Sequence, residues 1–344
     1  MVSSVPPSFT AKEREVTPYL HPCRPPFWAR GGHSQTILAH LWPTGAAPLN
    51  ERSPGTEVHD IPVGNDGDRL RTFYSKGTSG VLVAIFHGLS GDSNADYVRL
   101  TIAAARGLGH SVLAVNHRGC GAGRGLARGL YHSGRADDLG AVLEWARTSL
   151  SETKQLAVGF SLSGNALLLL LSGSYGTRPD AGIAINPPID LEKCSDRLSS
   201  QANKIYDKRF VRRCLRAVRE RMEDGLIEAG YELPRVQSLR DFDERITAPF
   251  AGFQDAEDYY RRCSTFRQLD QINVPTVILS SADDPFVGLG DLQDATLSPS
   301  IHLHIEQSGG HVGYLERGRF TIAARHWLGG ALTHYLSEIH RSVM

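Results

Sequence analysis

The stretch from Gln155 to Asn165, continued by an apolar run to Leu171, restricts the fold more than any other part of the chain. Leu156–Gly159 reads as a short buried strand, Ser161 falls at a tight turn, and a helix follows. Gly159 and Ser163 stand two positions on either side of the serine. The pattern approximates G-x-S-x-G, a strand-to-helix corner sharp enough to lift a serine hydroxyl clear of a sheet. Strand and helix pass so closely there that flanking side chains must be tiny, which accounts for Gly159. The corner drives its serine toward positive φ, at a cost of roughly 1–3 kcal/mol for a residue with a Cβ. Ser163 replaces the usual second glycine. It adds one hydroxymethyl group and Gly164 follows at once, so the corner is expected to survive.

On both sides of this corner, continuous apolar strands alternate with helices. The strands are Val81–Phe86, Ser111–Asn116, Gly182–Asn186, Pro275–Ser280 and Ile301–Ile305. Helices are expected over Tyr97–Leu108, Arg135–Ser149 and from about Thr321 to His340. Ahead of them, Glu57–Val63 and Leu70–Tyr74 flank the turn cluster Gly64–Asp68 as a hairpin. The pattern predicts an α/β fold with a mostly parallel, doubly wound sheet covered on both faces. Its core is expected over residues 56–190 and 273–344. Residues 191–272 break the rhythm: they are rich in Arg, Glu and Asp, with Phe210, Val211, Leu215, Val218 and Met222 at helical spacing. They are read as a helical cap insertion over the carboxyl edge of the sheet. Residues 1–55 form a proline-rich N-terminal extension. Within it Thr10–Val16 is charged and expected to be loose. Pro25–Trp42 is too aromatic for a disordered tail. A short helix from about Ser34 is expected to pack on the main body, with its aromatics serving plain packing or walling a substrate entrance.

The 37 basic and 37 acidic side chains of this 344-residue chain cancel, so charge gives no footprint for nucleic acid or an anionic membrane. The five cysteines are scattered without a C-x-x-C pair, which points neither to a disulfide framework nor to a zinc ribbon. The longest apolar run, Ala166–Leu171, is far short of the ~20 residues a membrane-spanning helix needs. No signal peptide is evident. A soluble, cytoplasmic protein is expected, with contact at a membrane surface left open. The glycines between Gly119 and Gly125 never complete G-x-G-x-x-G, so no dinucleotide site is expected.

An alcohol is a poor nucleophile near neutrality, so Ser161 needs a base, an acid residue to orient that base, and donors for an oxyanion. In a doubly wound sheet these come from loops at the carboxyl ends of strands. Of fourteen histidines, His311 alone combines a late strand-end loop with glycines on both sides, in Gly309–Gly313. The preceding strand ends in Asp283–Asp284–Pro285. Asp284 is chosen as the orienting acid, with Asp283 as the alternative. The loop His87–Gly91 supplies the oxyanion side: one backbone N–H from Leu162, after the nucleophile, and one from Leu89. Gly88, without a Cβ, lets the backbone approach a substrate closely. Gly88, Gly159, Ser163 and Asp283 are thus supporting residues. His302 and His304 share one face of a strand, and no metal is expected there.

From about Pro25 onward the chain resembles the YheT-like branch of the α/β-hydrolases, with kin among mammalian ABHD proteins and yeast medium-chain ester synthases. The order Ser, Asp, His is that of this superfamily. The marks are His33–Thr36, His87–Gly91, Asn116–Cys120, Tyr131–Gly134, the Ser161 corner with Asn165, Asp283–Phe286 and Gly309–Gly313. Ser163 departs from the usual glycine. The resemblance implies a serine triad acting on carboxylic esters, with short- to medium-chain acyl groups or lipids as substrates, and neither metal nor organic cofactor.

The leading expectation is therefore a serine-dependent carboxylic ester hydrolase working through an acyl-enzyme on a small-molecule ester or lipid. One rival is an acyltransferase that passes the acyl group to an alcohol. Another is a non-catalytic binding protein on a hydrolase fold.

Overall fold

Val81–Phe86 (β3) is buried at all six positions, and its alternate side chains feed two separate cores. Val81, Val83 and Ile85 meet Ile102, Ala105, Trp327 and Leu336 on one face. Leu82, Ala84 and Phe86 meet Leu139, Leu143, Leu167 and Leu170 on the other. A strand apolar on both faces requires helices on both faces. Each fully buried Leu or Ile stabilises this sandwich by about 1.5–3 kcal/mol. The computed structural model describes residues 20–173, 175–318 and 323–343, so the Thr10–Val16 stretch lies outside the described residues.

The other strands are Thr56–Pro62 (β1), Arg69–Ser75 (β2), Ser111–Val115 (β4), Lys154–Phe160 (β5), Ala181–Ile185 (β6), Thr276–Ser281 (β7) and Ile301–Glu306 (β8). They form one eight-stranded sheet in the order β1-β2-β4-β3-β5-β6-β7-β8. β1 and β2 are the expected hairpin and join β4 antiparallel. From β4 to β8 every pairing is parallel. β3 lies between β4 and β5, so chain progression reverses there; ligands bind at the carboxyl ends of strands at such a switch point. The register sets Phe86 opposite Gly159, and the loops leaving β3 and β5 emerge side by side.

Helices Gly32–Ala39 (α1), Asp96–Gly107 (α2), Ala136–Ser149 (α3) and Leu162–Ser172 (α4) follow in chain order. Between β6 and β7 the described chain is helical: Leu191–Ser199 (α5), Lys204–Glu223 (α6), Leu239–Phe242 (α7), a π-turn over Asp243–Thr247, Ala248–Ala251 (α8) and Ala256–Cys263 (α9). These helices pack in small clusters of their own. One gathers Cys214, Val218, Phe242 and Ile246; another joins Leu198 and Tyr206 to Phe286 and Val287 beyond β7. Leu289–Asp294 (α10) precedes β8.

One detail differs from expectation. The chain after β8 makes a short antiparallel pair, Leu315–Arg317 (β9) with Ala324–His326 (β10). The closing helix, Trp327–Val343 (α11), therefore begins later than about Thr321. The N-terminal segment packs against residues far along the chain. Trp42 Nε1 donates to the Ala324 carbonyl at 2.9 Å, the Arg317 amide donates to the Arg24 carbonyl at 2.8 Å, and the Trp28 and Trp42 rings lie 5.1 Å apart. Among the described residues no helix is long and apolar enough to cross a membrane.

Candidate active site

Ser161 occupies a one-residue corner between β5 and α4, with φ 50° and ψ −119°. Its amide donates to the Ile185 carbonyl at 2.8 Å, which ties the corner to β6. A Cβ on Gly159 would stand 2.5 Å from the Ser163 carbonyl oxygen, so glycine is obligatory there. Ser163, where glycine was the usual residue, is fully buried and its hydroxyl is engaged. It donates to the His87 carbonyl, and its oxygen lies 2.7 Å from His117 Nε2 and 2.7 Å from the Tyr131 hydroxyl. The extra hydroxymethyl group thus fills a polar socket built by two neighbouring loops.

The structure brings Ser161, His311 and Asp284 together. Ser161 Oγ is 2.7 Å from His311 Nε2, and His311 Nδ1 is 2.7 Å from Asp284 Oδ2. Asp284 also accepts from the amides of Phe286 and Val287 at 3.1 and 2.9 Å and from Asn186 Nδ2 at 2.8 Å. The adjacent Asp283 does different work. Its carboxylate accepts the Gly309 and Gly310 amides at 2.9 and 2.8 Å, shaping the loop that presents the imidazole. One acid contacts the ring and its neighbour contacts the backbone below it.

Several residues that hold this arrangement carried no assigned role in the sequence. The His311 amide donates to Thr36 Oγ1 at 2.8 Å, and that hydroxyl donates to the Gly32 carbonyl at 2.7 Å. Gly310 has φ +55°, and a Cβ on it would reach within 2.4 Å of the Gly32 carbonyl. Helix α1 and the histidine loop can touch only because Gly310 is bare. Gln35 clamps the loop's far end, accepting the Leu315 amide at 2.7 Å and donating to the Leu315 carbonyl at 3.1 Å. Asn186, at φ 46°, donates to Asp284 and accepts from the Tyr314 hydroxyl at 2.8 Å. The only sequence signal for Thr36 and Gln35 was their place in the His33–Thr36 motif.

Beyond β3, His87 is an anchor. Its Nδ1–H donates to the Gly88 carbonyl at 2.8 Å, and Nε2 accepts the His117 amide at 3.2 Å. Burial pushes its pKa down to about 4. The Gly88 amide donates to the Tyr97 hydroxyl at 3.1 Å. A Cβ on Gly88 would lie 3.2 Å from Ser161 Cβ, a measure of how closely this loop passes the serine. The Leu89 and Leu162 amides have no acceptor among the described residues. Arg118, within the Asn116–Cys120 motif, is buried in ion pairs with Asp138 and Asp68 and holds loops below the site. Among the described residues no group of three or more His, Cys, Asp or Glu side chains is placed to hold a metal ion.

Two cavities meet at Ser161. The larger, about 860 Å³, is bounded by Tyr97, His311 and the face of α6 carrying Arg209, Phe210 and Arg213. The smaller, about 80 Å³, is lined chiefly by apolar side chains, among them Leu162, Leu191, Leu198, Phe242 and Val287. Leu89 and Phe210 stand at the boundary of both.

A family model described as the alpha/beta hydrolase fold matches residues 81–318. YheT of Escherichia coli (strain K12) is 31% identical over 315 residues, which cover 89% of this chain and 90% of that one. The monoacylglycerol lipase of Saccharomyces cerevisiae is 28% identical over 76% of this chain, although the match spans only 60% of the lipase. The mouse phospholipase ABHD3 is 25% identical over 85% of this chain and 73% of its own. Among solved structures, the Pyrococcus furiosus esterase Pf2001 superposes with a TM-score of 0.52 at 16% identity, covering 86% of this chain and 97% of its own.

Proposed function

The chain belongs to the α/β-hydrolase family, and from that premise we propose that it is a carboxylic ester hydrolase whose nucleophile is Ser161. His311 Nε2 takes the hydroxyl proton as Ser161 Oγ attacks the ester carbonyl carbon. Negative charge develops on the carbonyl oxygen, and the Leu89 and Leu162 amides receive it. Removing one such donor typically costs about 2.7–4 kcal/mol of transition-state stabilisation. The imidazolium formed is stabilised by Asp284, which also keeps the Nδ1–H tautomer in place. His311 then gives its proton to the departing alcohol as the C–O bond breaks, leaving acyl-Ser161. Water enters, loses a proton to His311 and displaces the acyl group as a carboxylic acid, and the proton returns to Ser161.

The observation that carries this reading is the unbroken line Ser161 Oγ, His311 Nε2, His311 Nδ1, Asp284 Oδ2, with both contacts at 2.7 Å, at a serine of positive φ. Esterase, lipase and phospholipase names among the relatives and structural neighbours support the reaction class. The small apolar chamber beside Ser161 supports short- to medium-chain acyl groups. Helices α5 to α9 serve as the cap, since α6 and α7 supply walls of both cavities and α5 a wall of the smaller one. The five free thiols favour a reducing, cytoplasmic setting. The test is hydrolysis of p-nitrophenyl butyrate and octanoate by the wild type and by Ser161→Ala. Release of p-nitrophenol at wild-type rates by the variant would rule the mechanism out.

A further inference from the structure

The larger cavity has a charge pattern that ester hydrolysis as such does not require. On α6, Arg209 and Arg213 stand four residues apart on the wall that faces the cavity containing Ser161. Like charges at this spacing destabilise a helix by about 0.2–0.5 kcal/mol, and neither guanidinium has a salt bridge among the described residues. Arg209 makes no ion pair or hydrogen bond among the described residues. Arg213 has one contact, a hydrogen bond from Nη1 to the Ser90 carbonyl at 3.0 Å. That contact fixes its guanidinium beside the Leu89 loop.

Two carboxylates along the same cavity, Glu220 and Asp96, are already in ion pairs, and a third, Asp92, acts on Arg213 without a salt bridge. Glu220 pairs with Arg216 at 2.8 Å, Asp96 with Arg99 at 3.5 Å, and Asp92 accepts the Asn94 amide at 2.7 Å. Other arginines on this wall are held within the fold: Arg124 pairs with Asp224 and Glu223, and Arg221 donates from Nη2 to the carbonyls of Arg118 and Gly129, although its buried Nε has no partner among the described residues. Two exposed guanidiniums without salt bridges therefore line the same cavity as Ser161 and His311.

We propose that Arg209 and Arg213 form an anion subsite, and that the preferred substrate is a carboxylic ester whose alcohol half carries a phosphate or a carboxylate. The proposal rests on Ser161 being the nucleophile. The two cavities set the polarity. An acyl chain fits the apolar chamber, where a charged group would meet a large desolvation cost. The alcohol half then lies on the other side of Ser161, in the larger cavity. A guanidinium is always charged and presents a planar fork that matches carboxylate or phosphate oxygens.

The test compares 1-butyrylglycerol 3-phosphate with 1-butyrylglycerol, and butyryloxyacetate with its methyl ester, on the full chain. The wild type is expected to favour the anionic member at least tenfold in kcat/KM, mainly through KM, for phosphate, carboxylate or both. The preference is expected to shrink at high salt. In Arg209→Gln/Arg213→Gln the anionic-to-neutral ratio is expected to fall to about one. Equal kcat/KM for both members of both pairs, with p-nitrophenyl butyrate still hydrolysed, would overturn the subsite and leave the Ser161 reading intact. An anionic preference unchanged in the double variant would overturn it too. If Ser161→Ala hydrolyses as fast as wild type, the Ser161 reading fails instead. Calorimetry with glycerol 3-phosphate then decides the subsite: binding lost in the double variant upholds it, and equal or undetectable heats in both proteins overturn it.

Discussion

Thr36 Oγ1 accepts the backbone N–H of His311 at 2.8 Å across 275 positions of sequence. The contact makes the N-terminal helix part of the histidine's mounting. Thr36→Val keeps the shape and removes the acceptor, leaving a buried amide unsatisfied at a cost of about 1–3 kcal/mol. The expected result is a kcat for p-nitrophenyl butyrate lower by about tenfold, with KM little changed and Thr36→Ser close to wild type. A drop in Thr36→Val that Thr36→Ser does not rescue would indicate a packing effect, not the lost acceptor.

The two adjacent aspartates are expected to separate cleanly. Asp284→Asn leaves the imidazole without its acceptor on Nδ1, and the loss in kcat is expected near ~10⁴-fold, as for a triad with its tautomer misdirected. Asp283→Ala frees the Gly309 and Gly310 amides instead, and a loss of about ten- to a hundredfold is expected from misplacement of the loop. Steady-state kinetics on one ester checks both. A larger loss in Asp283→Ala than in Asp284→Asn would reverse the assignment.

Ser163→Ala tests the polar socket behind Ser161. His117 Nε2 and the Tyr131 hydroxyl both lose a partner in a fully buried place. Urea unfolding is expected to show a loss of about 1–3 kcal/mol. A variant as stable as wild type would mean that these groups find other partners.

His87 makes stability depend on pH. Its folded pKa of about 4 lies below an unfolded value near ~6.5. Below that upper value the unfolded chain binds the proton more readily, so stability falls as pH falls through the window between them. Above ~6.5 the contribution is flat. Near pH 5 the cost from this residue is about 2 kcal/mol. Asp243, which burial pushes up to about 6, works in the opposite direction, because its folded state holds a proton longer. Comparing wild type with His87→Gln isolates the histidine: the variant is expected to lose less stability between neutrality and mild acid. Parallel pH profiles for the two proteins would contradict the neutral, buried imidazole.

Much of the fold was legible because β3 through β7 are buried on both faces and read as unbroken apolar runs. Ser161 and His311 were legible for a related reason: small residues crowd around each, and the backbone needs them there. Asp284 was less distinct from Asp283, because the choice depends on which side chain turns toward the ring and which toward the loop. Thr36, Gln35 and Asn186 were hidden because each acts through a partner far along the chain. The same holds for the β9–β10 pair and the late start of α11. The sequence there carries no local turn signal strong enough to mark a two-stranded detour before the helix.

The most direct test is mass spectrometry after treatment with a fluorophosphonate, which reacts with a serine hydroxyl activated by a neighbouring base. The expected result is a single adduct on the peptide containing Ser161, absent in Ser161→Ala and much slower to form in His311→Ala. An enzyme that hydrolyses esters yet carries its adduct elsewhere, or labels equally fast without His311, would contradict the pairing of these two side chains.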